Sequence, residues 1–264
     1  MNTEEYRLRI DGIRSRLETA ALDRWGRVPR IVAVSKTVPA ERINPVLEAG
    51  INTLGENRVQ ELLDKYPHID ASFEIDLIGR LQSNKVKYII DKVHMIQSLD
   101  RESLAQEIDR RAQQRGICMP VLVQVNIGRE SQKGGVDEDE LLGFVRYASA
   151  LPGIDVQGLM AILPDLDDQA ELRPYFIRMR QLFEMLQNEA ISNTHIHELS
   201  MGMSGDYEIA AQEGVEYLRE CATCAIGFGC SIELGMQESG HAEAGTALAF
   251  KRSLVSGKES GKSG

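Results

Sequence analysis

Arg30-Ile31-Val32-Ala33-Val34-Ser35-Lys36-Thr37-Val38-Pro39 decides how this chain is read. Apolar and small residues run up to Ser35, a lysine follows, and Pro39 closes the pattern. A short apolar run ended by a breaker predicts a buried strand over 31–35. Lys36 then stands at the strand's C-terminal end, the end where parallel α/β barrels place their chemistry. Walled by apolar neighbours, such a lysine has a lowered pKa and can attack a carbonyl to form an imine. The alternative, a strand-end lysine that only reaches solvent, stays open on this stretch alone.

Working outward, strand and helix patterns alternate about eight times along the chain. Tyr6, Ile10, Ile13 and Leu17 recur at helical spacing in a helix over 3–25, with Thr3 as N-cap and Gly26 as stop. A helix near 40–49 contains Pro45, which predicts a late start. Further strands are expected at 53–57, 73–78, 93–97, 120–126, 156–161 and 195–199, and an eighth begins at 215–218. Helices are expected near 59–66, 84–92, 101–115, 138–150, within 167–190, and from Ser204 to Gly214. Regular alternation implies a parallel sheet, and eight units suggest closure into a TIM-type (β/α)8 barrel. An open doubly wound sheet has the same periodicity. Residues 1–230 are expected as one barrel domain and 231–264, rich in Gly, Ser, Glu and Lys, as a divergent, disordered tail.

The 264 residues suit one barrel. A net charge of −10 argues against a general nucleic-acid or anionic-membrane binder. No apolar run approaches the ~20 residues of a membrane helix, and Met1 to Arg7 lacks a signal-peptide layout, so a cytoplasmic protein is expected. Cys118, Cys221, Cys224 and Cys230 read as reduced thiols, and neither they nor the alternating His195 and His197 make a complete metal site. Met160, Met201 and Met203 read as core filling.

A second constellation follows the seventh strand. Ser200-Met201-Gly202-Met203-Ser204-Gly205-Asp206 joins a strand to a helix start, with Ser204 as candidate N-cap. Small residues and free backbone N–H groups there suit an anion, and two hydroxyls add donors. A turn whose serine merely caps its own helix is the alternative. Together, a strand-end lysine and a phosphate cup fit a ligand carrying both an aldehyde and a phosphate. Pyridoxal 5′-phosphate is one such ligand; a sugar phosphate handled by an aldolase is another.

Four motifs carry a resemblance. They are Val32-Ala33-Val34-Ser35-Lys36-Thr37, Leu54-Gly55-Glu56-Asn57-Arg58-Val59-Gln60-Glu61, Ile78-Gly79-Arg80-Leu81-Gln82-Ser83-Asn84-Lys85 and Leu199-Ser200-Met201-Gly202-Met203-Ser204-Gly205-Asp206. In this order, over roughly residues 5–220, the chain resembles the pyridoxal phosphate homeostasis proteins, the YggS/PROSC family. The resemblance implies the barrel of alanine racemase without that enzyme's second domain. It implies that Lys36 carries pyridoxal 5′-phosphate as an internal aldimine and that Asn57 lies beside the ring. Ser200, Ser204 and the backbone of Gly205 then hold the phosphate. Arg219 falls where the family has an arginine facing the pyridine nitrogen. An always-charged guanidinium keeps that nitrogen unprotonated and the ring a poor electron sink, which favours holding the cofactor over using it.

The role so implied is a non-catalytic carrier that holds, buffers and delivers the cofactor in vitamin B6 and amino-acid homeostasis. Pyridoxal-phosphate-dependent apoenzymes are its implied recipients, and a monomer is expected. The rival is a racemase or lyase acting on a small amino acid, which needs a second acid/base near Lys36. A third possibility is a barrel that has lost its cofactor and acts by protein contact alone.

The chain departs from the family pattern twice. Ile75-Asp76 stands before Leu77-Ile78-Gly79 in place of a Trp/Phe-His pair. After Arg219 comes Glu220-Cys221-Ala222-Thr223 rather than a residue and Gly-Thr. Thr223 is left as the candidate donor to the phosphate, the eighth strand is put in question, and weaker cofactor retention than in a typical member is expected.

Overall fold

The computed structural model of the chain describes residues 3–25, 28–130, 132, 134–166, 168–215 and 217–221, and the side chains of 22–25 and 217–221 are not among its described features. Its elements alternate as the sequence predicts. They run α1 (Thr3–Trp25), β1 (Arg30–Val34), α2 (Ala40–Glu48), β2 (Thr53–Glu56), α3 (Val59–Lys65), β3 (Glu74–Leu77), α4 (Val86–Ile89) and β4 (Met95–Leu99). Then follow α5 (Glu102–Arg115), β5 (Met119–Val125), α6 (Glu138–Ser149), β6 (Ile154–Ala161), α7 (Gln169–Asn188), β7 (Thr194–Ser200), α8 (Tyr207–Gln212) and β8 (Tyr217–Cys221).

The strands pair in chain order, and β8 returns to β1, so the sheet is a closed barrel. The open-sheet alternative is thereby removed. β8 forms despite the divergent sequence around it: it pairs with β1 over five residues, from Arg30 with Tyr217 to Val34 with Cys221. The expectation of a disordered tail, and that for Thr223, lie outside the described residues.

Two layers of packing hold the barrel. The outer layer is one continuous apolar shell between strands and helices, in which Ile31, Ala33, Leu54, Leu77, Ile96, Val123 and Leu159 meet the inner faces of the helices. Helix α5 shows how the sequence makes such a face: Leu104, Ala105, Ile108 and Ala112 are buried, at helical spacing. It ends at Gly116, whose φ of 65° gives the left-handed stop that glycine adopts without penalty. Inside the barrel Met95, Leu122 and Met160 form a separate small cluster. Their neighbours in register place Asp76 beside Met95 and Ser200 beside Met160, both lumen-facing.

Some boundaries differ from the expectation. Helix α2 starts at Ala40 with Pro45 inside it. Burial of Ile43 and Val46 against the sheet outweighs the hydrogen bond that proline forfeits. Thr3 is the first helical residue and its hydroxyl donates to Glu48 Oε2 at 2.9 Å, so it is no N-cap. The helix expected over 84–92 is a 3₁₀ turn, Ser83–Lys85, followed by one turn of α4. β4 lies two residues later than predicted, because His94 and Val93 belong to the approach and Ser98 and Leu99 to the strand. Met160 and Met201 are buried as core, whereas Met203 is exposed. Among the described residues no helix is long and apolar enough to cross a membrane.

Candidate functional site at the C-terminal mouth of the barrel

Lys36 lies in a turn two residues beyond β1 and is exposed. The expectation of an apolar-walled lysine is corrected: the side chain is exposed, and a polar cluster holds the residues on either side of it. The cluster begins with Glu56 at the end of β2, whose side chain is wholly buried. A buried carboxylate must be paired, and three groups meet it or its partner. Ser35 Oγ donates to Glu56 Oε1 at 2.6 Å. Lys65 Nζ, from α3, lies 2.5 Å from the same oxygen and 2.9 Å from Glu61 Oε1. Lys65 also donates to the backbone carbonyl of Ser35 at 2.8 Å.

On the other side of Lys36, the backbone N–H of Thr37 donates to Glu61 Oε1. Thr37 has a φ of 62°, an uncommon conformation for a β-branched residue. The residues before and after Lys36 are thus each tied to one buried ionic cluster. Burial raises the Glu56 pKa, against the opposing hydrogen bonds from Lys65 and Ser35.

Asn57 follows Glu56 at the exit of β2. Its Oδ1 is buried and has no hydrogen-bond partner among the described residues. Gly79, at the exit of β3, crosses the backbone of Asn57 so closely that a Cβ there would stand 2.2 Å from the Asn57 carbonyl oxygen. Sequence alone marks this glycine only as a strand end.

Ser200 ends β7, is fully buried, and donates through Oγ to Gln97 Oε1 at 2.7 Å. Gln97 in turn donates through Nε2 to Asp76 Oδ2 at 2.6 Å. Ser204 and Gly205 lie in the turn that follows, Gly205 exposed and without a neighbour where a Cβ would project. Ser204 is not the N-cap. Asp206 takes that position, and its Oδ1 accepts from the backbone N–H of Met203 at 2.5 Å. Helix α8 itself is only six residues long, so the hydroxyls and the turn backbone, rather than a helix dipole, are what this segment offers an anion. A cavity of about 260 Å³ opens beside the turn, lined by Ser204, Gly205, Tyr207 and Arg173 among others.

Arg219 is the register partner of Val32 in the β8–β1 pair. Ser200 pairs with Tyr217 in the β7–β8 contact, so the strand of Arg219 separates the exits of β7 and β1. Lys36, Asn57, Ser200, Ser204 and Gly205 all follow or end strands at the same rim.

Sequence reasoning missed Glu56, Glu61, Lys65, Gln97 and His94. A signal existed for the first three: a glutamate at the exit of a buried strand demands a cation, and the next helix supplies a lysine. For Gln97 and His94 no local signal exists, since their partners stand on other strands.

Such a barrel, with a lysine after its first strand and a serine-glycine turn after its seventh, is the alanine racemase type. The family described as alanine racemase, N-terminal domain, matches residues 10–219. A pyridoxal phosphate homeostasis protein of Aquifex aeolicus is 43% identical over 215 residues, covering 80% of this chain and 93% of that one. The structure of PipY from Synechococcus elongatus with pyridoxal phosphate bound is 31% identical, with a TM-score of 0.73, and covers 84% of this chain and 100% of its own. Alanine racemase of Corynebacterium glutamicum shares the fold alone, at 15% identity and a TM-score of 0.63, and this chain covers 64% of it. The chain belongs to the alanine racemase N-terminal domain family, among the pyridoxal phosphate homeostasis proteins.

Proposed function

We propose that the chain binds pyridoxal 5′-phosphate at the C-terminal mouth and holds it as a non-catalytic carrier in vitamin B6 and amino-acid homeostasis. The observation that carries this is the shared rim of Lys36, the orphaned Asn57 Oδ1 and the Ser200–Gly205 turn. The donor set fits the group. A lysine is the residue that bonds covalently to an aldehyde, Asn57 presents an acceptor in want of a donor, and the serines and the Gly205 N–H suit a phosphate.

In this reading Lys36 forms the Schiff-base linkage, and Ser200, Ser204, Gly205 and Thr223 hold the phosphate. Arg219 faces the ring nitrogen and keeps it unprotonated. When bound, the cofactor supplies an aldehyde and an electron-accepting ring. The chain's own residues position it and offer the ring no proton. Delivery to apoenzymes, a monomeric state and a cytoplasmic location belong to the same proposal. So does weaker retention than in a typical member, from the missing glycine before Thr223. The names of the relatives and the cofactor in PipY support it.

The test is an absorbance titration with pyridoxal phosphate, then borohydride reduction and peptide mass mapping, on the chain and on Lys36→Ala. An adduct on the Lys36 peptide, absent from the variant, is expected, together with no turnover in an amino-acid screen. An adduct on another lysine overturns the site, and sustained racemisation or elimination overturns the carrier role.

A further inference from the structure

A line of polar side chains, joined by one ion-pair contact and two hydrogen bonds, crosses the barrel lumen from its N-terminal opening to its C-terminal mouth. It begins at His94, just before β4, whose side chain is 42% exposed. His94 Nδ1 stands 3.4 Å from Asp76 Oδ1, within ion-pairing range but outside hydrogen-bond alignment. Asp76 is fully buried. Its other oxygen accepts from Gln97 Nε2 at 2.6 Å, and Gln97 Oε1 accepts from Ser200 Oγ at 2.7 Å. The four residues come from the β3, β4 and β7 segments.

The polarity of this line matters because each member has few ways to satisfy it. An ionised carboxylate only accepts, so Gln97 must turn its NH₂ toward Asp76 and its carbonyl toward Ser200. Ser200 then donates its single hydroxyl proton into the barrel. A phosphate at the mouth is an acceptor and needs that same proton. If Asp76 takes up one proton, its O–H can donate to Gln97 Oε1. The amide turns over, Gln97 Nε2 donates to Ser200 Oγ, and the hydroxyl proton is released to point outward. One proton is bound at Asp76, and none is passed along the line.

Resting on the cofactor site proposed above, we propose that Asp76 is a positioning residue for the ligand phosphate: through Gln97 it sets whether Ser200 donates into the barrel or outward to the anion. Desolvation holds Asp76 above the usual carboxylate range, which makes the neutral acid accessible. The charged groups acting on it are His94 from the approach to β4 and Glu74 from its own strand. Arg30 of β1, which pairs with Glu198 of β7, acts on His94. Phosphate binding therefore takes up a proton and tightens as pH falls through the Asp76 titration.

The experiment compares pyridoxal phosphate with pyridoxal, which lacks the phosphate. The ratio of their affinities, measured from pH 5 to 9 by absorbance with borohydride trapping, isolates the phosphate subsite. The ligand phosphate titrates near pH 6 as well, roughly as a phosphomonoester does, but identically in every variant. For the unmodified chain the ratio is expected to fall with rising pH by about tenfold more than in Asp76→Asn, the worth of roughly one charge-assisted hydrogen bond. Asparagine can donate to Gln97 at every pH, so Asp76→Asn should retain only the ligand's own titration. His94→Gln removes a cation beside Asp76 and should move the midpoint to higher pH. Proton release or uptake on binding, read with an indicator dye, should show uptake in the unmodified chain beyond that in Asp76→Asn. An identical pH dependence in all three chains overturns the inference while the cofactor site stands. An unmoved midpoint in His94→Gln overturns it even if Asp76→Asn does not fold. Failure of both aldehydes to bind overturns the cofactor site and the inference together.

Discussion

Lys65 Nζ lies 2.8 Å from the backbone carbonyl of Ser35 and 2.5 Å from Glu56 Oε1, so one ammonium from α3 ties the exit of β1 to the exit of β2. Lys36 is the next residue. Its own side chain is exposed, yet its backbone is held from both sides, by Lys65 through Ser35 and by Glu61 through Thr37. An exposed side chain on a backbone held from both sides suits the role proposed for Lys36, that of meeting an incoming aldehyde at a defined place.

Replacing Lys65 with methionine keeps the length of the side chain and removes its charge. Glu56 is then left buried without a cation, the costly way to break a buried pair. A loss on the order of 3 kcal/mol is expected, read as a lowered urea midpoint at unchanged slope. Lys36 should also trap added pyridoxal phosphate more slowly, because Ser35 loses its tether. Lys65→Met with unchanged stability would mean that the Glu56 cluster contributes nothing net. Glu56→Gln in the same background should restore part of the loss, since it removes the charge left unpaired.

Stability should depend on pH through groups that are easy to protonate. Glu56 and Asp76 are both raised, chiefly by desolvation, and His94 is raised chiefly by its interaction with Asp76. A group raised in the folded state contributes stability that is full below its unfolded value and is lost as pH rises through the folded value. For the carboxylates that loss begins above their ordinary values of 4.5 and 3.8, and for His94 above 6.5. Thermal midpoints should therefore decline from about pH 5 toward alkaline pH. Asp76→Asn removes one titrating carboxyl and the cause of the His94 shift, and should flatten that decline. A midpoint that rises steadily from pH 5 to 8 contradicts these assignments.

Much of the fold was legible because the period of burial changes so regularly between strand and helix. The run 31–35 and the α5 face, with Gly116 as its stop, needed only local chemistry. What the sequence misjudged were places where tertiary packing outweighs a local rule. Pro45 sits inside α2 because Ile43 and Val46 are anchored, and Ser204 yields the cap to Asp206 because the turn folds back on Met203. The rim was legible as residue types: Lys36, Asn57, Ser200, Ser204 and Gly205 stand at one end of the barrel. The support beneath it was not. Asp76 was conspicuous as a departure, but its partners are brought to it only by closure of the sheet, and Ser200 is more than a hundred residues away in sequence.

Two glycines give the last contrast. Gly12 lies within α1, and a Cβ there would meet nothing within 4 Å. Gly12→Ala should raise stability by roughly 0.5–1 kcal/mol, because alanine loses less backbone freedom on forming a helix. At Gly79 a Cβ would lie 2.2 Å from the carbonyl oxygen and 2.7 Å from the Cα of Asn57. Both are backbone atoms, so no rotamer change relieves the overlap. Gly79→Ala must push apart the exits of β2 and β3, and a cost of at least about 2 kcal/mol is expected, as for other overpacked sites. Asn57 moves with its backbone, so the variant should also bind pyridoxal phosphate more weakly, even where its melting curve stays cooperative. Equal melting midpoints for Gly79→Ala and the unmodified chain would show that the two exits do not cross as closely as 2.2 Å implies.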